Sequence, residues 1–134
     1  MTEQGETDDP GVEGSVARPG GVSYLAIPAR DVARSAAFYQ AVFGWELRGE
    51  PDAPSFSDGT GHVIGHWRTD LEPAGEAGVR PYVYVEDLAA ALQRAEAQGA
   101  AVISEPYSMG SLRIAVVGDP GGNAIGIWTG PPQG

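Results

Sequence analysis

Two histidines, three tryptophans, five tyrosines and eight arginines are the side chains of this 134-residue chain best suited to chemistry; cysteine and lysine are absent. Without cysteine there is no disulfide, thiolate zinc site or thiol nucleophile, and without lysine no Schiff base or P-loop lysine. The histidines, His62 and His66, sit four apart. On a helix that spacing would put both on one face and make a metal motif. They fall instead in DGTGHVIGHW (58–67), which reads as a strand. Four strand residues cover about 13 Å, at roughly 3.3 Å each, too far for two ligands that both approach an ion at about 2 Å. Sharing parity with Ile64, they are expected on a helix-covered side or at strand ends, so no metal site is assigned. The carboxylate pairs Asp8-Asp9 and Glu86-Asp87 belong to the acidic start and to a helix start, and neither reads as a desolvated acid/base pair. Glu46 and Glu105 flank strands. Gly118–Gly122 leads into a strand and reads as a turn, and no G-x-S-x-G elbow is present. What remains is aromatic: Tyr24, Trp67, Tyr82, Tyr84 and Trp128.

The elements that must position these rings come in a repeated order. Residues 22–27 (VSYLAI) predict a strand, Asp31 a helix N-cap, and Ala36, Tyr39, Val42 and Phe43 the apolar stripe of a helix stopped at Gly44. Short strands follow near Trp45–Arg48, Ser55–Ser57 and His62–Trp67. The order then returns. Pro81–Val85 predicts a strand and Asp87 an N-cap, with a Leu88, Ala91, Leu92, Ala95 stripe ending at Gly99. Strands Ala101–Ser104, Leu112–Val117 and Ala124–Trp128 complete the second half. The two halves also match in residues, Asp58…Trp67 lying over Asp119…Trp128 with five identities in ten positions. Tandem β-α-β-β-β modules, about 21–70 and 79–130 of a single 21–130 domain, are the reading.

One such unit cannot bury its own helix and sheet, so two must join, with curled mixed sheets inside and helices outside. Alternation then sorts the side chains. Leu25, Ile27, Val83, Val85, Ile64 and Ile125 are expected against the helices. Tyr24, Tyr82, Tyr84, Gly65, Trp67, Gly126 and Trp128 are expected on a concave face, where mid-strand glycines would leave room for a ligand. The same aromatics are equally compatible with a filled core. The loop Glu105–Ser111, which carries Tyr107 and Met109, reads as a lid or as an ordinary connection between strands, and Arg113 is a candidate for an anionic group.

Composition bounds the partners. Residues 1–20 hold five acids against Arg18 alone and predict a disordered tail. A formal charge of −10 argues against nucleic acid and anionic membranes, and no apolar run approaches the roughly 20 residues that span a bilayer. The acidic start is unlike a basic-then-apolar signal peptide, and a soluble, bacterial-type cytoplasmic protein is expected.

DVARSAAFYQAVFGW (31–45), the duplicated order and DPGGNAIGIW (119–128) resemble the vicinal oxygen chelate superfamily, which includes glyoxalase I, bleomycin- and fosfomycin-resistance proteins and extradiol dioxygenases. The resemblance covers about residues 21–129 and implies a paired βαβββ α+β fold, usually a homodimer, with a cavity in each sheet. It also implies that metal-using members place their ligands at positions that here carry Tyr24, Gly65, Tyr82 and Gly126, none of them an ordinary divalent-metal ligand. The expectation is therefore a cofactor-free, metal-independent small-molecule-binding protein that sequesters an aromatic drug or natural product through Tyr24, Trp67, Tyr82, Tyr84, Tyr107, Met109, Arg113 and Trp128. The rival is an enzyme of the same fold. It would be either a cofactor-free isomerase or lyase using a cavity tyrosine, or a metal-dependent lyase or dioxygenase using His62, His66 and a carboxylate.

Overall fold

A computed structural model describes residues 15–131. Strand β1 (Tyr24–Pro28) leads into helix α1 (Val32–Phe43), whose N-cap Asp31 accepts a hydrogen bond from the Arg34 N–H at 3.1 Å. Gly44 ends α1 in the left-handed region at φ 72°, a conformation that glycine adopts without Cβ strain. Strands β2 (Glu46–Glu50), β3 (Ala53–Ser57) and β4 (Ile64–Arg68) complete the first module. After the 69–81 connection come β5 (Tyr82–Tyr84) and α2 (Leu88–Ala97), capped by Asp87 onto the Ala90 N–H at 3.0 Å. Strands β6 (Ala101–Met109), β7 (Leu112–Gly118) and β8 (Ala124–Thr129) end the fold.

Each module forms its own four-stranded mixed sheet, ordered β1-β4-β3-β2 and β5-β8-β7-β6, with the first strand parallel to the last. The architecture is the expected α+β pairing of two βαβββ units. Among the described residues no helix is long and apolar enough to cross a membrane. One core cluster runs through both modules on their helix-covered faces, and α1 packs on α2. The Arg94 guanidinium fastens the helices by donating to the Val42 carbonyl at 3.1 Å.

Three sequence expectations change here. Residues 1–14 of the acidic tail lie outside the described residues, whereas residues 15–20 are held in turns with Val16 buried. The supposed lid is a strand: Glu105–Met109 extends β6 and pairs with β7 around a turn at Gly110–Ser111. The third concerns the faces of β4. Ser57 lies opposite Ile64 and Gly118 opposite Ala124, so across their hairpins the last strands correspond at an offset of 60, although their sequences align at 61. The loops before them explain the difference. The Asp58 N–H closes on the carbonyl of Val63, five positions on, while the Asp119 N–H closes on Asn123, only four on. One additional loop residue reverses every side chain of the strand behind it. In β4, Gly65 and Trp67 therefore face α1, while Ile64 and His66 take the open side.

Candidate functional site

The open face of the second sheet carries an unbroken row across all four strands. Tyr84 lies opposite Trp128, Trp128 opposite Ile114, and Ile114 opposite Tyr107. The Tyr84 and Trp128 rings meet edge-on, centroids 4.9 Å apart at 65°, the arrangement favoured by their quadrupoles. Ile114 and Val116 are buried between the strands' rings and form the floor. Tyr82 extends the surface by lying over Gly126, where any Cβ would collide with its ring. The space at Gly126 is thus filled by Tyr82. Gly65 likewise has no room for a Cβ beside Phe56 and the β1 backbone. The mid-strand glycines admit neighbouring groups, which corrects their reading as ligand space.

Tyr82, Tyr84, Tyr107 and Met109 remain 44%, 45%, 39% and 57% exposed, a concentration of large apolar surface on one face. Trp128 is half-buried among them. Two other expected site residues lie elsewhere. Trp67 is 4% exposed and packs 4.8 Å from Phe56 and 5.9 Å from Tyr39 in the α1-side core. Arg113 points to the α2 side of β7, donates to the Ser108 hydroxyl at 3.2 Å, and lines a cleft with Leu88 and Leu92. Its parity is opposite to Ile114, so it cannot serve the open face.

The first sheet's open face has the same geometry and a different content. Its corresponding row is Ala26, His66, Ser55 and Arg48, and Tyr24 is 53% exposed beside it. The Tyr24 hydroxyl lies 2.6 Å from His66 Nδ1. His66 was expected on a helix side or at a strand end. The loop-length difference between the Asp58 and Asp119 turns was the signal that places it here. His62 belongs to the turn before β4, where its Nδ1 lies 2.9 Å from the Ser15 carbonyl. Close by, Arg68 holds Asp70 in an ion pair that lowers the carboxyl's pKa below its usual range, chiefly through the hydrogen bond.

Corrected for register, the open-face positions of the first and last strands are Tyr24, Ile64, Tyr82 and Gly126; Ile64 replaces Gly65. Two phenols, an isoleucine and a glycine do not fit a divalent ion. Among the described residues no group of three or more His, Asp or Glu is placed to hold one.

The DPGGN turn has a structural task. Asp119, 6% exposed, accepts from the Gly121 and Asn123 N–H groups at 2.9 and 2.8 Å, and from the Tyr39 hydroxyl at 2.6 Å. Asn123 Nδ2 donates to the Pro28 carbonyl at 2.8 Å, tying the second module to the end of β1. Burial first, and then the Asp119 charge and hydrogen bond, push the Tyr39 phenol's pKa up. Above this turn a cavity of about 440 Å³ lies at the module junction, lined by Leu25, Ile27, Tyr39, Trp45 and Ile125 among others. Of the eight expected site residues only Tyr82 reaches it.

Paired βαβββ modules, each with a helix-covered face and an open sheet face, define the class of fold. The model of the Glyoxalase/Bleomycin resistance protein/Dioxygenase superfamily matches residues 21–127, and the chain belongs to that superfamily. An anthracycline biosynthesis protein of Streptomyces peucetius, DnrV, is 30% identical in an alignment of 129 positions that covers 82% of this chain and 47% of that protein. The chain thus spans about half the length of that relative. A glyoxylase-like domain-containing protein of Didymella fabae is 29% identical over 68% of this chain and 77% of its own length. Among solved structures, the antibiotic-binding protein TnmS3 from a Streptomyces species superimposes with a TM-score of 0.66 at 22% identity, covering 84% of this chain and 97% of that one. The fosfomycin resistance protein FosX from Mesorhizobium loti gives 0.65 at 17% identity, over 84% and 93%. These structures share the fold.

Proposed function

We propose that this chain is a metal-independent binding protein that holds a planar aromatic ligand, such as an antibiotic or another aromatic natural product, against the open face of its second sheet. The observation that carries this reading is the Tyr84–Trp128–Ile114–Tyr107 row, which offers flat, amphipathic ring surface above a buried aliphatic floor. Rings of this kind supply large contact area, and their phenol and indole tips fix orientation. The name of the Streptomyces relative, an anthracycline biosynthesis protein, and that of the antibiotic-binding structural neighbour point to the same ligand class. The formal charge of −10 favours neutral or cationic ligands. A second copy of the chain is the proposed protein partner, making a homodimer. Light scattering across a dilution series tests that part.

The test of binding is thermal melting with a panel of planar aromatic natural products, anthracyclines included. A ligand present at 100 times its Kd stabilises the fold by about 2.7 kcal/mol, which moves the midpoint of a domain of this size by several degrees. A panel in which no compound shifts the midpoint contradicts the reading.

A further inference from the structure

The Tyr24–His66 pair lies on the first sheet, apart from the second sheet's aromatic row, and is a built acid–base arrangement. At 2.6 Å the phenol and imidazole share one short hydrogen bond between two strands of a rigid sheet. Each partner can be the donor. When Tyr24 O–H donates to Nδ1, the imidazole carries its other proton at Nε2, and the phenol oxygen faces outward with free lone pairs. When Nδ1–H donates instead, Nε2 carries a lone pair and the phenol presents its O–H outward. In either state the pair offers a visitor one donor and one acceptor, and His66 Nε2 has no hydrogen-bond partner among the described residues. Ser55, directly across from His66, adds a hydroxyl to the same row.

We propose that Tyr24 and His66 form a bifunctional proton relay that interconverts the keto and enol forms of a carbonyl compound bound on this face. The ligand's carbonyl oxygen accepts from the Tyr24 O–H, and its α-carbon hydrogen faces His66 Nε2. The α-proton passes to Nε2, and the C–H electron pair becomes the C=C bond of the enol. The Nδ1 proton passes to the Tyr24 oxygen, and the Tyr24 proton passes to the carbonyl oxygen. Three protons move, none is gained or lost, and the pair ends in its other hydrogen-bonded state. No net charge develops on the ligand, so the step needs no ion to stabilise an enolate, consistent with Ile64 and Gly126 at the positions where donors are missing. This inference goes beyond the binding reading and does not rest on it, because it uses the other sheet.

The experiment follows α-proton exchange of 1-tetralone, an aromatic ketone with one enolisable position, in D2O by NMR with the full chain in imidazole-free buffer. The wild-type protein is expected to raise the exchange rate about 100-fold over buffer, within the range of general acid–base catalysis, and saturably in ketone. Tyr24→Phe and His66→Gln should each return the rate to about that of buffer, with unchanged melting midpoints showing that both variants are folded. Exchange at the buffer rate with wild-type protein overturns the proposal. So does a wild-type rate in Tyr24→Phe, which would leave an imidazole acting alone.

Discussion

The two modules share a topology and invert the placement of their aromatic rings. The first packs Phe38, Tyr39, Trp45, Phe56 and Trp67 between α1 and its sheet, with Trp45 stacked 4.6 Å from both Tyr39 and Phe56. It leaves Tyr24 and His66 on the open side. The second packs only Leu, Ala, Val and Ile at these depths, with Ala91 and Ala95 of α2 against Ala115, Val117, Ile125 and Ile127, and sets Tyr82, Tyr84, Tyr107 and Trp128 on its open face. Small residues on α2 let that helix lie close to its sheet, so no rings are needed to fill the gap. A duplicated scaffold thus holds its rings in the core of one half and on the open face of the other.

The largest effect should come from erasing the loop-length difference. Deleting Gly59 would pull β4 back by one residue and turn Trp67 and Gly65 out of the core. The expected loss exceeds about 4 kcal/mol, seen as the disappearance of a cooperative melt. A deletion variant that melts as the wild type does would mean that β4 register is set elsewhere. Next, Trp67→Ala should cost about 3–5 kcal/mol, as for a fully buried ring, whereas Trp128→Ala should cost roughly 1–2 kcal/mol because its ring is half-buried. Chemical denaturation of the two variants compares them directly, and equal costs would remove the distinction between core and surface tryptophan.

A smaller effect concerns the staple between modules. Tyr39→Phe removes a hydrogen bond to the buried Asp119 carboxylate and should cost about 1.5–3 kcal/mol. The sign of its pH dependence follows from the raised phenol. With the folded pKa above the unfolded value of about 10, the stabilisation is complete below pH 10 and declines as pH rises through the folded value. Wild-type stability should therefore fall with alkaline pH through a component absent from Tyr39→Phe, and identical alkaline slopes would exclude that phenol. Smallest of all, Tyr24→Phe should alter stability by less than about 1 kcal/mol, since its ring is half exposed; a larger loss in denaturant would make the pair a structural clamp.

The comparison also shows what the amino-acid sequence discloses. Helix caps are local chemistry, so Asp31, Gly44 and Asp87 marked α1 and α2 closely. Strand order followed from the repeat. Facing did not, because parity accumulates through loops: Asp58–His62 aligns with DPGGN residue for residue, yet the first turn closes one position later, on Val63. The Tyr82, Tyr84 and Trp128 surface was legible because the second module has no such offset. The same parity error placed Trp67 in the site and left out His66. Arg113 has the opposite parity to Ile114, which puts it on the α2 side of β7. Tyr39 with Asp119 was not anticipated, since a contact across 80 residues leaves no periodic trace.

The most direct measurement is the Kd of a planar aromatic natural product for wild type, Trp128→Ala and Trp67→Phe, by calorimetric titration. If the second sheet's open face is the binding surface, Trp128→Ala weakens binding at least about tenfold, equivalent to 1.4 kcal/mol, while Trp67→Phe keeps the wild-type value. Undiminished affinity in Trp128→Ala would contradict the account.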